Sequence, residues 1–296
     1  MSNSANPVVV GVDGSEASLG AVRWAAAEAR RRNVPLKLVH ALDEASLGYP
    51  QPLPVHVDLT GLARQRGHRI LHAASDVARD TESDVDIRRS LREERPGAAL
   101  LDESRAASML VLGTPPVRFL GRFLAGSVTI ALAANADCPV AVVRPHAADD
   151  EPPVEGPVVV GVDASPTSDE AIAAAFDAAS RRGAALVAVH AWDDSYLGAL
   201  FEDTRWTLDR PAIEEREREL LAERLAGWQE KYPDVAVERI VVRGAPADRL
   251  LDQAVHAQLI VVGSRGRGGF AGMVLGSTSQ SLITFALCPL LIVRQG

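Results

Sequence analysis

The chain has 296 residues, 47% of them hydrophobic and 24% charged, and a formal net charge of −8. That balance is the signature of a soluble globular protein, and the acidity argues against a nucleic-acid backbone as main partner. Lys37 and Lys231 are the only lysines, the opening MSNSANP lacks the apolar core of a secretory signal, and no run of about 18 apolar residues is present; a lysine-dependent phosphate site is excluded, no secretion or membrane span is expected, and a cytoplasmic location is expected.

In chain order, the first apolar run is Val8–Ser15 (VVVGVDGS), a buried strand closing on Asp13. A second strand ends in LVHA at Ala41, Gly113 closes a fourth, Gly126-Ser127 opens a helix, and Cys138 precedes a last strand, Pro139–Arg144. Pro145–Pro157 (PHAADDEPPVEGP) is acidic, proline-rich and unpatterned, the composition of a linker. Val158–Asp163 is again an apolar strand, and Ser165 or Thr167 can cap the helix after it, whose stripe is Ala171, Ile172, Ala175, Phe176 and Ala179. Ala185–Ala191 reads as a strand, Ile213, Leu221, Leu225 and Trp228 as the stripe of one long helix, and Val235–Val242 as a third strand. Pro246 suits the first turn of a short helix ending near His256; Leu259–Gly263, a helix over Gly276–Ala286 and the strand Pro289–Arg294 complete the series.

The second half therefore repeats the first. VVVGVDGS at Val8 recurs as VVVGVDAS at Val158, 150 residues on, and Ala41, Gly113, Gly126-Ser127 and Cys138 recur at Ala191, Gly263, Gly276-Ser277 and Cys288. A period this long is a duplicated domain, not a solenoid unit. The expected domains are residues 1–147 and 158–296, joined by a linker over 148–157. Five strands alternating with helices imply, in each, a doubly wound α/β domain: a five-stranded parallel sheet with helices on both faces. The paired cysteines read as two reduced, buried thiols, with a Cys138–Cys288 disulfide as the alternative. Ligands of such sheets bind beyond the carboxyl ends of the strands, which in the second copy means Gly161 to Asp163 and the segment after Gly263.

That segment, Gly263–Ser277 (GSRGRGGFAGMVLGS), carries the sharpest chemical signal. Its glycines let backbone N–H groups approach an anion, a helix opening near Gly276 points its positive end at the same place, Ser277 adds a hydroxyl, and Arg265 and Arg267 add charge. A flexible surface turn would also favour glycine. The lysine of a Walker A loop is missing, and a dinucleotide G-x-G-x-x-A reading fails because the segment follows the fourth strand and not the first.

The pattern Gly263-x2-Gly266-x9-Gly276-Ser277, with an aspartate at the end of the first strand, resembles the universal stress protein family of the ATP-binding kind. The resemblance covers nearly the whole chain as two copies, including VVVGVD-x-S, VHA and the closing CPLLIVR. It implies strand order 3-2-1-4-5, domains paired through their last strands around a pseudo-twofold, ATP binding, and regulatory roles in stress survival and growth control. Carried onto this chain, it places Asp163 at the ribose, the backbone around Ala191 at adenine, and Gly263, Gly266, Gly276 and Ser277 at the phosphates. Asp163, which can equally be a turn former, is the one obvious acidic candidate for holding an accompanying Mg2+. The first copy keeps Asp13, Ala41, Gly113, Gly126 and Ser127 but reads Gly113-Thr114-Pro115-Pro116 where the second has Gly263-Ser264-Arg265-Gly266. Pro116 has no N–H and cannot turn through positive φ, so this copy is either a weakened site or a structural half.

His68 and His72, four apart, read as a solvated helix face and not as a metal pair, since no third ligand is near. His40 and His190 read as packed strand-end histidines, and Glu214–Glu223 as an exposed helix face with i, i+4 pairs. The leading expectation is an ATP-binding regulator acting through nucleotide-dependent conformation or an unknown protein partner, with no catalytic residue assigned and a homodimer of chains left open. A slow ATPase or phosphotransferase and a nucleotide-free scaffold are the competing readings.

Overall fold

Val8–Val10 and Val158–Val160 have no solvent exposure, as expected of strands covered by helices on both faces. The computed structural model describes residues 5–42, 58–115, 126–144, 153–163, 168–193, 209–266 and 275–294. The chain divides into two compact units, Met1–Pro152 and Pro153–Gly296.

In unit 1 the elements are β1 (Val8–Gly11), α1 (Glu16–Arg32), β2 (Leu36–Ala41), α2 (Leu59–Thr81), β3 (Ile87–Arg92), α3 (Pro96–Ser104), β4 (Met109–Gly113), α4 (Ser127–Asn135) and β5 (Val140–Val143). The strands lie in the order β3-β2-β1-β4-β5, all parallel, the doubly wound arrangement expected. Ser15 caps α1 by accepting the N–H of Ser18, and Asn33 ends it in the left-handed conformation at φ 53°.

Unit 2 repeats the plan with β6 (Val158–Gly161), α5 (Asp169–Arg182), β7 (Leu186–Trp192), α6 (Arg210–Leu225), α7 (Trp228–Lys231), β8 (Val237–Arg243), α8 (Pro246–Ala254), β9 (Leu259–Gly263), α9 (Ser277–Phe285) and β10 (Leu290–Val293). Its order is β8-β7-β6-β9-β10, again parallel. The expected stripe of α5 is the buried one: Ala171, Ile172, Ala175, Phe176 and Ala179 are all at 0% exposure. Pro246 opens α8 at its first turn, as its fixed φ and missing N–H favour.

One local expectation is corrected, and another falls outside the described residues. The residue at the start of α5 is Ser168, without a side-chain cap bond, and the expected caps Ser165 and Thr167 are not among the described residues. Asp169 and Glu170 in its first turn suit the positive helix end. The stripe through Ile213, Leu221, Leu225 and Trp228 does not sit on one helix, because α6 stops at Leu225 and Gly227 turns the chain at φ 77°. Trp228 then stacks on Phe176 with ring centroids 6.1 Å apart and on Tyr232 at 6.4 Å, so its apolar surface is spent against α5 instead of continuing the α6 stripe.

Candidate functional site

The carboxyl ends of β6, β7 and β9 and the start of α9 enclose a cleft of about 550 Å³ in unit 2, within the usual range for small-molecule sites. Its geometry begins with hydrogen bonds that fix the strand ends. Val162 N–H donates to Val189 O at 2.9 Å and Ser264 N–H to Val293 O at 2.7 Å, each continuing a parallel ladder one residue past its strand. Asp163 and Arg265 follow directly and both line the cleft.

The two ends of the glycine segment are tied together. Gly276 N–H donates to Ser264 O at 2.8 Å, and Ser279 Oγ donates to Gly263 O at 2.8 Å. These bonds hold the α9 N-terminus beside the end of β9. Gly276 is the N-cap and supplies no side-chain acceptor, so the first N–H groups of α9, at the positive end of the helix dipole, are available to an anionic ligand. Ser277, Thr278 and Ser279 line the cleft there.

Gly266 has a role other than the one expected from positive φ. Its φ lies outside the left-handed region; what it provides is room, since a Cβ at this position would lie 2.9 Å from Asp163 Oδ2. The end of β6 and the glycine segment thus meet at one carboxylate. Gly161 also lines the cleft, but the space its side chain would take is filled by packing: a Cβ would lie 2.9 Å from Leu250 Cδ1 and 3.2 Å from Val262 Cγ1. Its absence of side chain lets α8 approach the sheet. Ala191 lines the opposite wall with Trp192, whose indole N–H is buried without a hydrogen-bond partner among the described residues. Arg267 lies outside the described residues.

In unit 1 the corresponding residues serve local structure. Asp13 accepts from Ser15 N at 2.9 Å and from Ser15 Oγ at 2.6 Å. Partial burial works against the ionised carboxylate, yet these bonds from Ser15 hold its pKa below the ordinary 3.8. Asp13 is thus a turn former at the α1 cap. Gly113 is pressed on α1, where a Cβ would fall 2.1 Å from Ala17 O. Gly126 and Ser127 start α4 with no side-chain cap, Ala41 ends β2 opposite Arg92, and the Thr114 hydroxyl is buried without a partner among the described residues. Pro116 lies outside the described residues.

His40 and His190 are packed strand-end histidines, as expected: Nδ1 of each lies 2.7 Å from a backbone carbonyl, Val12 O and Val162 O respectively. The charge-rich stretch of α6 is not uniformly a solvent face. Glu217 enters the cleft wall, 2.6 Å from His190 Nε2. The signal for this was the spacing: Ile213, Glu217, Leu221 and Leu225 recur every four residues, so Glu217 occupies a gap in the apolar stripe. His68 and His72 are exposed on α2, and Arg89 Nη1 approaches His72 Nδ1 at 2.9 Å.

The family model described as "Universal stress protein family" matches residues 5–144 and again 156–294. The chain belongs to the universal stress protein family. Two universal stress proteins of Mycobacterium tuberculosis are each 41% identical to it: one over 291 residues, covering 97% of both chains, the other over 307 residues, covering 99% of this chain and 98% of the relative. The crystal structure of a universal stress protein from Archaeoglobus fulgidus shares the fold at TM-score 0.67 and 20% identity, covering 99% of both chains. A putative universal stress protein from Pseudomonas aeruginosa does so at TM-score 0.62 and 16% identity, covering 98% of this chain and 93% of that one. The tandem matches coincide with the two units, so the cleft described above belongs to the second universal stress protein domain.

Proposed function

We propose that this universal stress protein binds ATP in its second domain and acts as a cytoplasmic regulator in the stress response and growth control, through nucleotide-dependent conformation or partner binding. The observation that carries the reading is the convergence of three chain segments on one cleft. Asp163 meets Gly266, the Ser264–Gly276 bond brings the α9 N-terminus beside them, and Arg265 adds a positive charge at the rim. Free helix N–H groups with an arginine suit phosphates, a partly exposed carboxylate suits a ribose hydroxyl, and the strand-end backbone at Ala191 offers donors and acceptors to a base. Mg2+ would arrive with the triphosphate, with Asp163 as its protein ligand; among the described residues no group of three or more His, Cys, Asp or Glu could hold a metal by itself. The test is nucleotide extracted from the purified protein by heat and identified by chromatography, with equilibrium dialysis against ATP. Co-purified adenine nucleotide and saturable binding are expected. Neither would appear if the cleft is only an architectural gap.

A further inference from the structure

The His190–Glu217 contact has a proton count that its geometry fixes. Nδ1 of His190 lies 2.7 Å from Val162 O, which can only accept, so Nδ1 carries a hydrogen. Nε2 lies 2.6 Å from Glu217 Oε2. A neutral imidazole protonated at Nδ1 would turn its Nε2 lone pair on a carboxylate, two acceptors facing each other. One more proton must therefore lie between them, as imidazolium with carboxylate or as imidazole with carboxylic acid. Either way the pair is neutral overall while it keeps that proton. His190 is 2% exposed and Glu217 21%, and both line the cleft.

The fold does not need this second contact. His40 of the first domain makes the same Nδ1 bond to the equivalent carbonyl. There the facing helix presents Gly67, where a Cβ would fall 2.6 Å from Leu91 Cδ1 and 2.9 Å from His40 Cδ2, so this position offers the histidine no carboxylate and a side chain there would have to displace its neighbours. The carboxylate facing the histidine belongs to the second domain, which also has the glycine cradle.

We propose that Glu217, held by His190, is a specificity-determining residue of this cleft: the pair keeps one shared proton and so presents a neutral wall to a polyanionic ligand. This rests on the ATP reading of the site. When the shared proton leaves to solvent, the pair gains one negative charge, Glu217 and Nε2 repel, and the cleft as a whole becomes less favourable to a polyanion. The other charged groups around the pair are Asp163 after β6, Asp193 after β7 and Arg265 after β9, all lining the cleft. On α6 Arg218 pairs with Glu214 and Glu215, and Arg210, Arg216, Glu219, Glu223 and Arg224 complete its charges. On β8 Arg239 bonds Gln229 beside Glu238 and Arg243; on α8 Arg249 pairs with Asp252 near Asp248.

The experiment measures ATP affinity of the full chain by calorimetry across the pH range in which it stays folded, for the wild type and Glu217→Gln. The glutamine amide can donate to Nε2 of a neutral His190, so the substituted pair stays neutral without a proton to lose. As pH rises the wild type should lose about tenfold more affinity than Glu217→Gln loses, the effect of a unit charge across a half-solvated cleft. Titration of ATP itself is common to both proteins and cancels. One slope shared by both overturns the proposal. ¹⁵N NMR of the His190 ring in the ligand-free chain supplies an arm that needs no nucleotide: a shared proton on the Nε2 side supports it, and a bare Nε2 beside an ionised Glu217 overturns it. If the wild type binds no ATP at any pH, the ATP reading falls, and the role in specificity falls with it, whatever the NMR shows of the proton.

Discussion

Replacing Gly266 with alanine separates binding from folding. The added Cβ would lie 2.9 Å from Asp163 Oδ2, closer than such contacts allow, but the obstacle is the end of one partly exposed side chain and not backbone. Asp163 can swing aside, so the stability cost is small. It is further offset by about 0.4–1 kcal/mol because alanine has less freedom than glycine when unfolded. Since 1 kcal/mol moves the midpoint of a domain this size by about 2–4 °C, thermal melting should stay within a few degrees of wild type. A ligand that hydrogen-bonds the ionised Asp163 loses that contact, worth about 1.5–3 kcal/mol, or roughly 10- to 150-fold in affinity. Calorimetric titration with ATP alongside thermal melting reads both quantities. Asp163→Ala gives the control: if both changes act through the same carboxylate, the double variant binds no worse than Asp163→Ala alone. Retention of ATP affinity within about threefold of wild type, with melting unchanged, would show that Asp163 does not contact the ligand and would refute the site as drawn.

Equilibrium dialysis should count fewer than two tight ATP sites per chain, because Pro116 stands where the second domain has Gly266; two equivalent sites would show that the loop tolerates proline. The expected pairing of the domains through their last strands predicts that prolines introduced together at Val142 and Ile292 split the two domains, visible as changed light scattering and domain-specific proteolysis; no change in either refutes it. Burial pushes the thiols of Cys138 and Cys288 from the ordinary 9.0 up to about 12. A proton kept by the native state and released by the unfolded one destabilises the fold only above 9.0, so stability should be insensitive to these groups below that value and fall between 9.0 and about 12. The loss is at most about 1.4 kcal/mol per pH unit for each thiol. Urea unfolding at about pH 8 and about pH 10 should therefore show a steeper loss for the wild type than for a Cys138→Ala/Cys288→Ala chain, and parallel losses would refute the assignment.

The sheet was readable because its signals are local. Val8–Val10 and Val158–Val160 are uninterrupted β-branched runs, and α5 carries its buried stripe at helical spacing, so the alternation of strands and helices, and with it a parallel doubly wound sheet, followed from pattern. The break after Leu225 was not readable, because the apolar spacing continues through it to Trp228; only the left-handed turn at Gly227 and the stacking on Phe176 reveal that Trp228 belongs to another helix. At the site, glycine spacing identified the right segments but not the reason for each glycine. Gly113 is glycine because the backbone of Ala17 occupies the space, whereas Gly161 and Gly266 are crowded only by the side-chain ends of Leu250 and Asp163. A sequence shows that a side chain is missing and not which atom has taken its place.

The duplication supplies an internal control for function. Where both copies keep a residue and its contact, as His40 and His190 do with a strand-end carbonyl, the fold is sufficient explanation. A difference at an equivalent place needs another. Gly67 packs where Glu217 reaches His190, and the first domain remains a complete five-stranded sheet without that carboxylate. A carboxylate largely withdrawn from water costs free energy unless compensated. Glu217 has that compensation from His190, in the one domain whose glycine segment also retains Gly266, and on the wall of the cleft which that segment helps to close. These two departures, at Gly67/Glu217 and Pro116/Gly266, fall on one cavity of the second domain, which is the pattern expected if that domain is the one that binds a ligand while the first preserves the architecture.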